Sequence, residues 1–214
     1  DCFVTHDRAM QPGLEVPFVL DSVLDRFEGR SEFSIHPESG GVAYGNQWST
    51  GNTHRVGRDY IAVELKKLYE GTPPEVVHHY HLYAVRPRSG DRAKLRAQPN
   101  VATRTRRIAY ALAELGDELA TLSSIATGRT LTSNDAVGLS KATMDYEGWW
   151  LNPQAEPVSR HAPPSMTGDQ FLSRCELLDQ MVIEALREAL LRETLIKLGV
   201  DQQDIIALKS LKLL

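Results

Sequence analysis

The stretch Thr167–Leu198, TGDQFLSRCELLDQMVIEALREALLRETLIKL, decides the fold class. Thr167-Gly168-Asp169-Gln170 has the form of a capping box, in which the Thr hydroxyl accepts from the amide three residues on and the Gln reaches back. Phe171, Cys175, Leu178, Val182, Ala185 and Ala189 then recur at helical spacing, and Leu172, Leu186 and Leu190 widen the stripe. The spacing predicts one helix from Thr167 to about Leu198, stopped by Gly199. Glu188 with Arg192, and Glu193 with Lys197, fall four apart, where opposite charges attract across one turn. Asp201 is placed to cap a last helix carrying Ile205, Leu208 and Leu211.

Working back from there, Thr103 opens another helix with a narrow stripe of Ile108, Leu112, Leu115, Leu119 and Leu122, closed by Gly128. The N-terminal half is different in kind. Val16-Pro17-Phe18-Val19-Leu20 is an apolar run, and Ser22 to Phe27 reads as a short helix stopped at Gly29. Glycines at 40, 41, 45, 51 and 57 predict loops or a hairpin, with Val42-Ala43-Tyr44 as a strand. Ile61, Leu65, Leu68 and Tyr69 predict a helix over 59–70. Glu75 to Val85 is rich in β-branched and aromatic types and reads as a strand. The expected class is therefore α+β and helix-rich, with a short sheet in a mixed N-terminal part and C-terminal amphipathic helices packing as a hairpin or bundle. The expected organisation is a loop-rich segment over 1–57, a small α+β region over 58–151, a proline-marked linker or surface excursion over 152–168, and a helical region over 169–214.

Composition narrows the function. The formal net charge of −4 in 214 residues excludes a protein that coats nucleic acid over its whole surface, but not a local basic patch. Two cysteines, Cys2 and Cys175, cannot make a disulfide framework, so a reducing, cytoplasmic or otherwise intracellular setting is expected. Cys175, within the apolar pattern, reads as a buried thiol. No eighteen-residue apolar run marks a membrane span, and no membrane partner is expected. The two leucines closing the chain, Leu213 and Leu214, read as an end covered by a partner or by the rest of a truncated domain.

Four patterns bear on chemistry. Arg86, Arg88, Arg92, Lys94, Arg96, Arg104, Arg106 and Arg107 stand against a single acid, Asp91, which suits phosphate contacts that need point charges and no base reading. Tyr80, Tyr83 and Tyr110 lie close enough in sequence to stack on bases. His79 and His81, two apart on a strand, share a face and can chelate a metal through neutral imidazoles, with His6, His36, His54 or His161 as further ligands. Glu64-Leu65-Lys66 matches the acidic-x-Lys element with which many metal-dependent nucleases hold a metal and polarise water. There is no HExxH, CxxC or GxSxG, and Gly128-Arg129-Thr130-Leu131 lacks the lysine a phosphate loop requires. Trp149-Trp150 reads either as a plug under a loop, the commoner fate, or as an exposed binding element.

Several of these elements, in order, resemble the N-terminal and first-linker regions of Argonaute and Piwi proteins. Gly57-Arg58-Asp59-Tyr60-Ile61-Ala62-Val63 is similar to the opening that precedes a strand there, Val76-Val77-His78-His79-Tyr80-His81-Leu82 to a following strand, and Val85-Arg86-Pro87 to its ending. Arg106-Arg107-Ile108 through Leu115 resembles the next helix, Gly128-Arg129-Thr130-Leu131 the short glycine element, and Asp204-Ile205-Ile206-Ala207-Leu208 the linker helix. A long helix stands where that family has strands before its linker helix. The resemblance implies a non-catalytic module that handles guide and target strands.

The residues support two classes of function. The first is a non-catalytic binding or assembly module without a cofactor, a shell or scaffold subunit included. Leu178, Val182, Leu186, Leu208, Leu211 and Leu214 would meet a protein partner or a second copy, and 86–107 would meet nucleic acid or another polyanion. The second is a metal-dependent hydrolase or nuclease built on His79 and His81, or on Glu64.

Overall fold

A computed structural model describes residues 17–86, 100–162 and 165–214. The fold is mixed α+β, with two small antiparallel sheets followed by helices. It divides into two compact units, with the chain passing between them at 104/105, 158/159 and 166/167.

The first unit holds both sheets. Strand β1 (Phe18–Leu20) leads directly into a 3-10 turn, Asp21–Arg26. Strands β2 (Phe33–His36), β3 (Gly41–Tyr44) and β4 (Trp48–Ser49) form one meander. Strands β5 (Thr53–Val56), β6 (Tyr60–Val63) and β7 (Ala84–Val85) join β1 in the order β5-β6-β1-β7, with Val19 opposite Ile61 and Arg55 also opposite Ile61. Helices α1 (Leu65–Gly71) and α2 (Pro74–Leu82) lie between β6 and β7 in the chain. Val23, Leu24, Phe27, Ile61, Val63, Leu68, Val76 and Tyr80 make the core of this unit.

Two expectations fail here, for identifiable reasons. The helix expected over 59–70 is a strand and then a helix. Ile61, Ala62 and Val63 are all buried, so β6 is covered on both faces and its residues run apolar without alternating. Such a run cannot be told from a helix segment by periodicity. The strand expected over 75–85 is helix α2, with only Ala84–Val85 extended. Pro74 occupies the first helical turn, where its fixed φ suits a helix and its missing N–H is not needed. Val76 and Tyr80, four apart, are the buried pair that docks it. The Argonaute resemblance sets a strand at 60–63 and another at 76–82; the first is a strand here and the second a helix.

The second unit is helical. Helix α3 (Val101–Thr127) starts in the first unit, where the Asn100 carboxamide oxygen caps the Thr103 amide at 2.8 Å. Its buried face is only partly the leucine stripe. Ala109, Leu112, Ala113, Gly116, Ala120 and Ser123 are covered, while Leu115 and Leu122 face out. Small residues won that face because a neighbour approaches the helix backbone closely. Gly116 is in contact range of Ser133 and Val137 of α4 (Ser133–Val137), so that any Cβ there would clash with both. A capping box of Thr132 and Asp135 starts α4, and Gly138, at φ 69°, ends it. Beyond a π turn, Met144–Gly148, Trp149 is 2% exposed and plugs the core as expected. The proline-marked segment contains α5 (Ala155–Ser159).

The Thr167 capping box forms as read, and α6 (Gly168–Asp179) continues from it. The expected single helix to Leu198 is broken. It passes through a π turn, Gln180–Glu184, and restarts as α7 (Glu188–Lys197). At the break the Arg187 amide donates to the Ala136 carbonyl at 2.9 Å, a tertiary hydrogen bond that replaces an intrahelical one. Arg192 pairs with Glu188 at 3.0 Å, whereas Glu193 meets Arg129 at 2.5 Å. Asp201 caps α8 (Gln202–Ile205), but the single last helix expected through Leu208 and Leu211 is instead two short ones, with α9 (Ser210–Leu213) following a break. No helix among the described residues is long and apolar enough to cross a membrane.

Candidate functional site

The histidines that a strand would have aligned are separated by a helix. Residues two apart on a helix point about 200° apart. His79 Nε2 lies 2.9 Å from the Val23 carbonyl, and burial holds its imidazole below the ordinary histidine range. His81 Nε2 lies 2.5 Å from the Tyr69 hydroxyl. Each ring is committed to a different structural partner. No group of three His, Cys, Asp or Glu among the described residues is placed to hold a metal ion.

Glu64 and Lys66 are parted as well. Glu64 is the residue before α1 and accepts from the Asn52 carboxamide at 2.7 Å, and Lys66 pairs with Glu70 at 3.7 Å. The nuclease element wants both on a strand.

Of the basic stretch, Arg88, Arg92, Lys94 and Arg96 lie outside the described residues. Arg86 is exposed at the end of β7. Arg104, Arg106 and Arg107 are exposed on the first two turns of α3. The Arg106 guanidinium stands 5.5 Å from the centre of the Tyr110 ring, and the Tyr110 hydroxyl donates to Asp145 at 2.6 Å. That hydrogen bond raises the phenol above its ordinary range, because ionisation would forfeit it beside a carboxylate.

The leucines read as an interface divide into three groups. Leu186 is 4% exposed and belongs to the core of its own unit. Leu178, Val182 and Leu208 are half-buried, while Leu211 and Leu214 are exposed and Leu213 is buried. Helix α6 leaves apolar side chains uncovered. None of its residues is buried, and Phe171 and Leu172 are 59% and 64% exposed. Cys175, expected inside, is exposed on the same helix.

Sequence reasoning missed one cluster altogether, in the first unit. Asp21, the first residue after β1, and Arg55 of edge strand β5 form a buried ion pair at 3.0 Å, with their side chains 4% and 2% exposed. The same Asp21 oxygen lies 2.5 Å from His161 Nδ1. The backbone N–H of His161 donates to both oxygens of Glu28, at 2.9 and 3.0 Å. His161 Nε2 faces the Asp25 carboxylate at 3.6 Å. Asp21 Oδ1 and Arg55 Nε and Nη2 are buried without a hydrogen-bond partner. Burial raises the Glu28 carboxyl above its usual range, although the His161 amide and the nearby Arg55 pull the other way. In the sequence His161 stands out only as a spare metal ligand. An aspartate at the end of an apolar run is the one visible trace of the cluster, and nothing local points from it to partners 34 and 140 residues away. An Asp–His pair can polarise an imidazole for proton transfer, but here the outer nitrogen is enclosed and faces a second carboxylate. The arrangement binds the chain to itself.

No family model, curated protein or solved structure matches this chain.

Proposed function

We propose that the chain is a non-catalytic binding and assembly module whose helix α6 is its protein-contact surface. The carrying observation is that this twelve-residue helix buries none of its side chains and turns Phe171, Leu172 and Cys175 outward. Helices this short are marginal in water and gain most of their stability from packing an apolar face. A second copy of the chain is the simplest occupant, since most soluble oligomers are symmetric assemblies of one chain. Light scattering on the eluting protein tests this. Wild type is expected to exceed 23.9 kDa with rising concentration, and Phe171→Ser with Leu172→Ser is expected to stay at 23.9 kDa. A wild-type monomer at every concentration would sink the self-assembly reading.

Arg104, Arg106 and Arg107 support a second contact, with a polyanion such as single-stranded nucleic acid. All three are exposed on two consecutive turns. Replacing them together by Gln is expected to weaken binding to a labelled oligonucleotide. The log–log salt slope should fall by about 2, near 0.7 for each phosphate that is no longer neutralised. An unchanged slope would remove these arginines from the interface. An Argonaute-like role in handling nucleic-acid strands would run through this contact.

A further inference from the structure

The three tyrosines spaced in sequence to stack on bases are all engaged elsewhere. Tyr80 is 1% exposed in the core of the first unit. The Tyr83 ring packs against His79, with centroids 4.9 Å apart. Tyr110 has the Arg106 guanidinium 5.5 Å from its ring centre and donates its hydroxyl to Asp145 at 2.6 Å. A different ring stands open. Tyr146 follows Asp145 in the π turn Met144–Gly148 and is 90% exposed. A run of contacts links it to the basic end of α3. Arg106 lies against Tyr110, Tyr110 is tied to Asp145, and Tyr146 is the next residue, its Cα about 3.8 Å further along the chain. Arg106, Arg107, Tyr110 and Tyr146 all belong to the second unit, and Arg106 and Arg107 are exposed.

We propose, on the footing of the polyanion contact described above, that Tyr146 is a stacking platform for an unpaired nucleobase and that the partner of this face is single-stranded nucleic acid. One exposed ring on a surface needs no explanation by itself. Here it adjoins guanidinium groups, and the two features divide the work of holding a strand. The arginines supply positive charge for phosphates, a contact that positions a strand without reading it. The tyrosine supplies a π face on which any unpaired base can lie. A duplex keeps its bases stacked on one another and presents none to the ring, so it gains only the arginine contact. Asp145 and Glu147, exposed on either side of Tyr146 in the chain, set the orientation. Their carboxylates repel phosphate from the ring, which leaves the backbone of a bound strand over Arg106 and Arg107 and a base over Tyr146.

Fluorescence anisotropy on the full chain tests the platform, with labelled oligothymidylate as one probe and the same strand annealed to oligoadenylate as the other. Tyr146→Ala is expected to bind the single strand about tenfold more weakly, within the range for one base stacked on one aromatic side chain, and to bind the duplex as wild type does. Tyr146→Phe keeps the π face and is expected to bind both probes as wild type does. Neither substitution reaches the core, because the side chain is 90% exposed. Full single-strand affinity in Tyr146→Ala overturns the stacking role, and the arginine contact then stands or falls separately on the salt slope of the Arg104, Arg106 and Arg107 variant. Wild-type protein that binds neither probe overturns both. Equal losses on the two probes overturn the stacking role as well. So does a Tyr146→Ala substitution that turns an oligomer into a 23.9 kDa monomer, which would assign the ring to a protein contact.

Discussion

Asp21→Asn lowers the stability of the first unit by about 3–5 kcal/mol, the cost of leaving a buried charge without its counter-ion. Arg55 is the charge left behind. Its side chain is 2% exposed, its Nη1 has Asp21 as partner, and its Nε and Nη2 are already buried without one. The asparagine retains an oxygen of the right size, so shape is conserved and the loss is electrostatic. His161 loses the carboxylate at its Nδ1 in the same step. The measurement is urea denaturation with hydrogen exchange read on peptides from β1 and β5. Asp21→Leu combined with Arg55→Met should recover much of the loss, because removing both charges removes the desolvation that opposes them. A loss below about 1 kcal/mol in the single variant would place Arg55 in contact with water and end the case for a buried pair.

Phe27→Ala is expected to cost about 3–5 kcal/mol, the range for truncating a fully buried aromatic side chain. Phe27 is 1% exposed at the centre of an aromatic cluster. Phe33 meets it edge-on at 5.1 Å and His79 at 5.5 Å, with Trp48 and Tyr80 each at 6.4 Å. Removing the ring strands four neighbours at once, and near-ultraviolet circular dichroism and tryptophan emission from Trp48 report it. Phe171→Ala is the internal control. That ring is 59% exposed, so its loss should change stability by no more than about 0.5 kcal/mol in the monomer. Equal costs for the two variants would mean that the apolar face of α6 is covered within its own chain.

The legible parts of this fold are those fixed by neighbours in sequence. The Thr167–Gln170 capping box, the stop at Gly128 and the Asp201 cap depend on three or four consecutive residues, and each forms. So does the short helical turn ahead of Gly29, although it closes as a 3-10 turn. The illegible parts depend on distant partners. β6 reads as helical because Ile61, Ala62 and Val63 are all buried, which erases the alternation of a half-exposed strand. The long helix breaks near Arg187 because its amide has a partner at Ala136. Leu115 and Leu122 of the α3 stripe face outward, while Gly116 and its alanine neighbours take the close approach of Ser133 and Val137 that leucine would not fit. At the candidate sites the same division holds. The outward apolar residues of α6 are visible as a pattern, although that pattern puts Cys175 on the wrong side. The Asp21–Arg55–His161 cluster is invisible in the sequence because its three residues, of which His161 draws notice only as a spare metal ligand, meet only in space.

That cluster also sets a timetable for synthesis. As the chain leaves the ribosome, Asp21 gains Arg55 after 34 further residues but must wait 140 for His161. At about 5–20 residues per second, the interval between the two arrivals lasts roughly 5–20 s. Throughout it the aspartate has one of its two companions, and the nascent first half stays open to chaperones and proteases until the distant histidine emerges.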